Sequence, residues 1–157
     1  MLSEWVFSKA LMRSLFLVVL VLSEVSCTKE NAVGDSFKAI TYEEALQKFN
    51  EAHEDENYRC QYSLVGMSED APLAAVEIED FLYLKLSGSI IELMSRGRGE
   101  DFGNYGSESE GVKFSYKVLR KYNVSEYQES DDRDVEVEFS YRGKSEVLKM
   151  YGFGCGI

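Results

Sequence analysis

Three cysteines, one histidine and a large excess of carboxylates are the side chains in this sequence that could carry chemistry. The 157 residues hold 28 acidic against 17 basic groups, a net charge of −11. Cys27, Cys60 and Cys155 make an odd set, so an oxidising compartment leaves one thiol to be explained. Neither Cys60 nor Cys155 has a neighbouring histidine or basic cluster to lower its pKa, which argues against a reactive thiol. His53 stands alone, so a histidine-based metal cluster or a His-paired nucleophile has no second imidazole to draw on. It follows a helical pattern and suits a helix C-terminus, where the dipole favours a cation. Gly143-Lys144-Ser145 looks like the end of a phosphate-binding loop, but Glu138 stands where that loop needs its first glycine. Asp131-Asp132-Arg133-Asp134 lacks the glycine and the distal glutamate of an EF-hand and reads as a solvated turn. Paired carboxylates for glycoside chemistry are available everywhere, and only geometry could select a pair. No catalytic residue, metal or cofactor is therefore expected, and the chain is expected not to be an enzyme.

The remaining candidate is a surface. Residues 96–111 contain five glycines and read as a mobile loop that displays Arg96, Arg98, Phe102 and Tyr105. Exposed aromatics on loops are frequent interface anchors, which makes these four the candidate partner-binding residues. Asn123-Val124-Ser125 matches a glycosylation acceptor, of consequence only in a eukaryotic source.

The elements that must position these groups are legible from periodicity. Thr41 and Glu44 have the spacing of a capping box, and Tyr42, Ala45, Leu46, Phe49 and Ala52 follow at intervals of three and four, so a helix with one apolar face begins there. From Tyr58 the period becomes two, with Tyr58, Cys60, Tyr62 and Leu64 on one side of a strand. A loop at 68–72 precedes a long run in which Val76, Ile78, Leu82, Leu84 and Leu86 share a parity, and Gly88 marks a turn. Residues 90–94 form a further short strand or a helical turn. Val112, Phe114, Tyr116 and Val118 alternate with polar residues, as do Val135, Val137, Phe139 and Tyr141, and residues 142–145 can turn the chain into a last strand. These elements predict an α+β fold, with one N-terminal amphipathic helix packed on an antiparallel sheet of five to six strands. A sheet curled around a helix, similar to cystatin-like folds, satisfies this order, and so does a small flattened barrel with the helix outside. Residues 40–157 are expected to form this single domain, preceded by a polar tether at 27–39.

Residues 15–22 are an unbroken apolar run of eight, preceded by Lys9 and Arg13 and followed by small residues. The run is too short to span a bilayer and has the layout of a signal peptide over residues 1–26. Cys27, preceded by Ser26, resembles the lipobox of bacterial lipoproteins, in which the cysteine is acylated and begins the mature chain; Glu24 departs from the apolar residue usual three positions earlier. That resemblance implies lipidation of Cys27 and leaves Cys60 and Cys155 as one disulfide, whose long loop would stabilise the fold by about 4 to 5 kcal/mol. Ordinary cleavage near Cys27, releasing a soluble secreted protein, is the alternative.

Removing residues 1–26 takes away Glu4, Glu24, Lys9 and Arg13 and leaves the net charge at −11. Such a chain is a poor ligand for nucleic acid and for anionic lipid, so contact with a membrane is expected only through a lipid on Cys27. A basic protein partner is favoured instead. Tyr58-Arg59-Cys60 and the late Cys155 resemble the small lysozyme-inhibitor lipoproteins, which use a Tyr-x-Cys strand and a late cysteine. Their inhibitory Ser-Gly-x-x-Tyr segment is not present, since Ser87-Gly88 leads into Ser89, Ile90 and Ile91. The expectation is an exported, lipid-anchored binding protein of the cell envelope, an inhibitor or immunity protein that neutralises a basic exported enzyme or toxin. A periplasmic hydrolase using carboxylates is the alternative from a different class.

Overall fold

The computed structural model describes residues 36–66 and 70–157. The signal peptide expected over 1–26, Cys27 and most of the tether lie outside these residues. Thr41 caps helix α1 (Tyr42–Asn50), its hydroxyl accepting from the Glu44 amide at 3.1 Å while the Glu44 carboxylate accepts from the Thr41 amide at 3.0 Å. Strand β1 (Phe37–Lys38) precedes the helix. Behind it follow β2 (Arg59–Ser63), β3 (Leu73–Ile78), β4 (Phe81–Leu86), β5 (Ser89–Gly99), β6 (Phe102–Ser107), β7 (Val112–Tyr122), β8 (Ser130–Tyr141) and β9 (Lys144–Gly156).

Each strand from β2 to β9 pairs antiparallel with the next, and β9 returns to pair with β2, closing an eight-stranded barrel. The expected α+β sheet of five to six strands is thereby corrected to a mostly β architecture with one extra strand and one short helix. Two features of the chain account for the difference. The run from Val76 to Leu86 is two strands, because Glu79 and Asp80 form a tight turn that sets Ile78 opposite Phe81. Val76 and Ile78 therefore face outward while Leu82, Leu84 and Leu86 face inward, and the shared parity held only along the chain. The glycine-rich stretch 96–111 is not a loop but the end of β5, the whole of β6 and a turn. Glycine serves there for close approach, since a Cβ on Gly103 would come within 2.4 Å of the Tyr116 ring and 2.8 Å of the Tyr105 ring.

Alternation fills the barrel from every strand. Tyr62, Ala75, Leu82, Leu84, Leu93, Tyr105, Phe114, Tyr116, Val135, Val137, Phe139 and Met150 form one buried cluster. A second cluster lies outside the wall, where Ala45 and Phe49 of α1 pack on Val76, Ile78 and Tyr83. This explains why all six residues of β3 are buried, since one face meets the barrel core and the other the helix. Phe37 of β1 stands at the Leu86 end of β4 and packs at a tilt on the interior Phe139 with ring centroids 4.5 Å apart, plugging that end. Cys60 of β2 and Cys155 of β9 are joined in a disulfide across the seam where the sheet closes.

Two outcomes follow for stability. Replacing Cys60 and Cys155 together by serine should lower the unfolding free energy by up to about 4 to 5 kcal/mol, read from the urea midpoint; a loss under about 1 kcal/mol would mean that the seam holds without it. Phe49→Ala should cost about 3 to 5 kcal/mol, because it empties the contact between helix and barrel wall.

Candidate functional site

Strands β2 to β9 bring their remaining ends together opposite the Phe37 plug. The connections before β2, between β3 and β4, between β5 and β6 and between β7 and β8 all meet there, with the chain end after β9. Below them lies an acidic side chain, Glu77, that alternation turns into the barrel. Glu77 sits between Val76 and Ile78, which face the helix, so its own carboxylate points inward and is wholly buried. A buried carboxyl is tolerated only with hydrogen-bond partners. Tyr62 donates to Glu77 at 2.7 Å, Tyr105 at 2.5 Å and Tyr116 at 3.3 Å, and Arg98 NH1 approaches at 3.5 Å. Arg98 also donates to the Glu79 carbonyl and lies over the Tyr58 ring, 4.5 Å from its centroid.

Burial pushes the proton affinity of Glu77 up, and the tyrosine hydroxyls with Arg98 and Arg133 only partly offset it. The same burial raises the phenols, Tyr116 to about 12, so they stay protonated donors across the neutral range.

Above this cluster the barrel opens into a cavity of about 840 Å³. Its walls include Tyr58, Arg98, Lys121, Arg133, Val124 and Ile157. Arg133 is 5% exposed and is held by Asp131 through two hydrogen bonds, 2.7 Å and 2.8 Å. Lys121 reaches Glu100 at 2.9 Å and Asp101 at 3.2 Å. The β7–β8 connection is organised by Ser125, whose hydroxyl accepts from the amides of Glu129 and Ser130, and by Asn123, which donates to Asp132 at 2.7 Å.

The four candidate partner-binding residues separate. Arg98 and Tyr105 meet at Glu77; Tyr105 is 2% exposed and is no surface anchor. Arg96 pairs with Glu108 at 3.3 Å, and Phe102 lies against Gly99 on the outer wall, about half exposed. His53 follows the helix and stacks on Phe81 with centroids 4.0 Å apart, its Nε2 lying 3.6 Å from Glu92. The acidic run 131–134 belongs to β8, and its carboxylates take separate partners, Asp131 with Arg133, Asp132 with Asn123 and Asp134 with Tyr122. Among the described residues no group of three potential ligands could hold a metal ion.

Glu77, Tyr116 and Arg133 are the site residues that sequence reasoning passed over. Their signal was present: Glu77 is the one charge in the apolar run of β3, and Tyr116 and Arg133 share the parity of their strands' apolar residues. Compared with known proteins, the chain matches no family model, no curated protein and no solved structure.

The raised proton affinity of Glu77 has a definite sign in stability. The folded state holds a proton that the unfolded chain releases near its ordinary value of 4.5, so stability falls as pH rises through the window above that value and levels off beyond the folded pKa. Glu77→Gln should remove this slope, gaining on the wild type as pH rises above 4.5. Melting curves of both proteins against pH check this; a variant that instead loses ground at high pH would mean that Arg98 and Arg133 keep Glu77 ionised.

Proposed function

We propose that this chain is an exported, lipid-anchored binding protein of the cell envelope that meets a basic protein partner with the open end of its barrel. The observation that carries the reading is the placement of acid. Glu54 and Asp55, Asp80, Glu100 and Asp101, and Glu126 and Glu129 put exposed carboxylates on every connection at that end. A ring of one sign steers and orients a partner of the other sign. Neutralisation of a basic exported enzyme or toxin would follow if the partner's own functional surface is what docks there. The apolar run ahead of Cys27 and the disulfide between Cys60 and Cys155 support an oxidising, exported location.

The hydrolase alternative gains nothing from this geometry. Glu77, the carboxyl with raised proton affinity, is shut from solvent behind Tyr62, Tyr105 and Tyr116 and has no surface from which to reach a substrate.

Two measurements test the proposal. The intact mass of the protein made in a bacterium should begin at Cys27 and include a diacylglyceryl group; an unlipidated mass would remove the anchor and leave a secreted binding domain. With lysozyme as a basic probe, Asp80→Lys with Asp101→Lys should slow association about tenfold and flatten its salt dependence. An equal effect from Glu108→Lys with Glu110→Lys, in the turn at the opposite end, would reduce the attraction to bulk charge and dismiss the docking end.

A further inference from the structure

The cavity at the open end contains groups that docking of a protein on its rim leaves unused. Most charges lining it are answered within the chain, Lys121 by Glu100 and Asp101, and Arg98 by Glu77 and Asp80. Others are not. Among the described residues, the Tyr58 hydroxyl, the Nη1 of Arg133, the side-chain amide of Gln128 and the Glu129 carboxylate have no hydrogen-bond or ion-pair partner, while Nε and Nη2 of Arg133 are held by Asp131. These groups are sorted by depth and by chemistry. Arg133 has a side chain only 7% exposed, and Tyr58 is half-buried, so the inner wall offers donors. Gln128 and Glu129 are exposed, so the outer wall offers an anion and an amide. Apolar surface from Val124 and Ile157 also lines the space.

A nearly buried guanidinium with an unspent N–H pair selects an anionic acceptor, and a neighbouring phenol adds a second donor to the same group. A ligand that is only anionic would meet Glu100 and Glu129 on the way in. A ligand that is only cationic would leave the Arg133 and Tyr58 donors of the inner wall unmatched. A molecule with an acceptor at one end, an ammonium at the other and an apolar body between satisfies both walls. The volume of about 840 Å³ falls in the range of small-molecule sites and exceeds what one amino acid fills.

We propose that the barrel mouth binds a small zwitterion with an apolar body, its carboxylate on Arg133 and Tyr58 and its ammonium on Glu129. Free apolar amino acids and short apolar peptides share this chemistry. The site is additional to the protein-docking reading and does not require it.

The experiment is a titration of the isotope-labelled mature protein, followed by the amide signals of Gly99, Gln128 and Gly156, which line the cavity. The probes are the tripeptide Leu-Ala-Leu with free ends, its N-acetyl and C-amide forms, and leucine. The free tripeptide should give saturable shifts. Amidation should weaken binding about tenfold, as loss of a charge-assisted contact does. Acetylation should weaken it about threefold, because Glu129 is exposed. Glu129→Gln, a surface change that leaves the fold intact, should erase the difference between free and acetylated peptide. Tyr58→Phe keeps the ring under Arg98 and should shrink the difference between free and amidated peptide. Leucine binding as tightly as the tripeptide would support the proposal and identify amino acids as the source; tighter binding of the tripeptide would support it and identify peptides. The proposal is overturned by an absence of saturable shifts, by affinity indifferent to both caps, or by cap effects that persist unchanged in both variants. None of these results depends on lysozyme binding or on the charge reversals at the rim, so the two readings fail separately.

Discussion

The closure of β9 onto β2 is the constraint on which the rest of this molecule depends. An open antiparallel sheet of this length would expose two unpaired edges, whereas closure satisfies them against each other and gives the sheet a sealed interior. The Cys60–Cys155 bond lies on that seam and ties the first barrel strand to the last. Because the strands are long on one side of the barrel and short on the other, closure also forces a division of labour. The short strands β3 and β4 take the helix on their outer face, while β7 and β8 stand alone between core and solvent.

Closure makes the two ends of the barrel unlike. One is filled by Phe37 against Phe139, so the interior there is apolar and aromatic. Toward the other end the filling turns polar, with Glu77 held by phenols and Arg98, and Arg133 held by Asp131. Buried polar groups of this kind cost stability unless every partner is in place, and their partners come from β2, β3, β5, β6, β7 and β8. The bonds to Glu77 alone tie together β2, β3, β5, β6 and β7, five strands that they hold in one register. The polar filling lies toward the open end, where the cavity and the acidic connections lie together.

Rim charge acts at a distance and on large partners, while the inner groups act only on what can enter. On the two readings proposed above, both scales of recognition would use one end, with Glu100 and Glu129 belonging to the rim as well as to the cavity wall.

The capped helix was fully legible at Thr41 and Glu44, because a capping box is a local interaction within four residues. The inward faces of β7 and β8 were equally legible, since alternation over more than four residues is set by the pleat. The hairpin at Glu79-Asp80 was not, because a turn without glycine or proline breaks the parity silently. Nor was β6, where glycines make room for Tyr105 and Tyr116 and so resemble a loop in composition. The candidate loop residues show the same limit, for Tyr105 and Arg98 are brought to Glu77 only by pairing of β5 and β6 with strands far away in sequence. The sequence by itself determined charge, the helix, the strand faces and the cysteines available for a bridge, all properties of neighbouring residues. Only the tertiary structure decided that the sheet closes, that Glu77 lies within reach of Tyr62, Tyr105 and Tyr116, and that the acidic connections share one end, because each depends on which distant strands become neighbours.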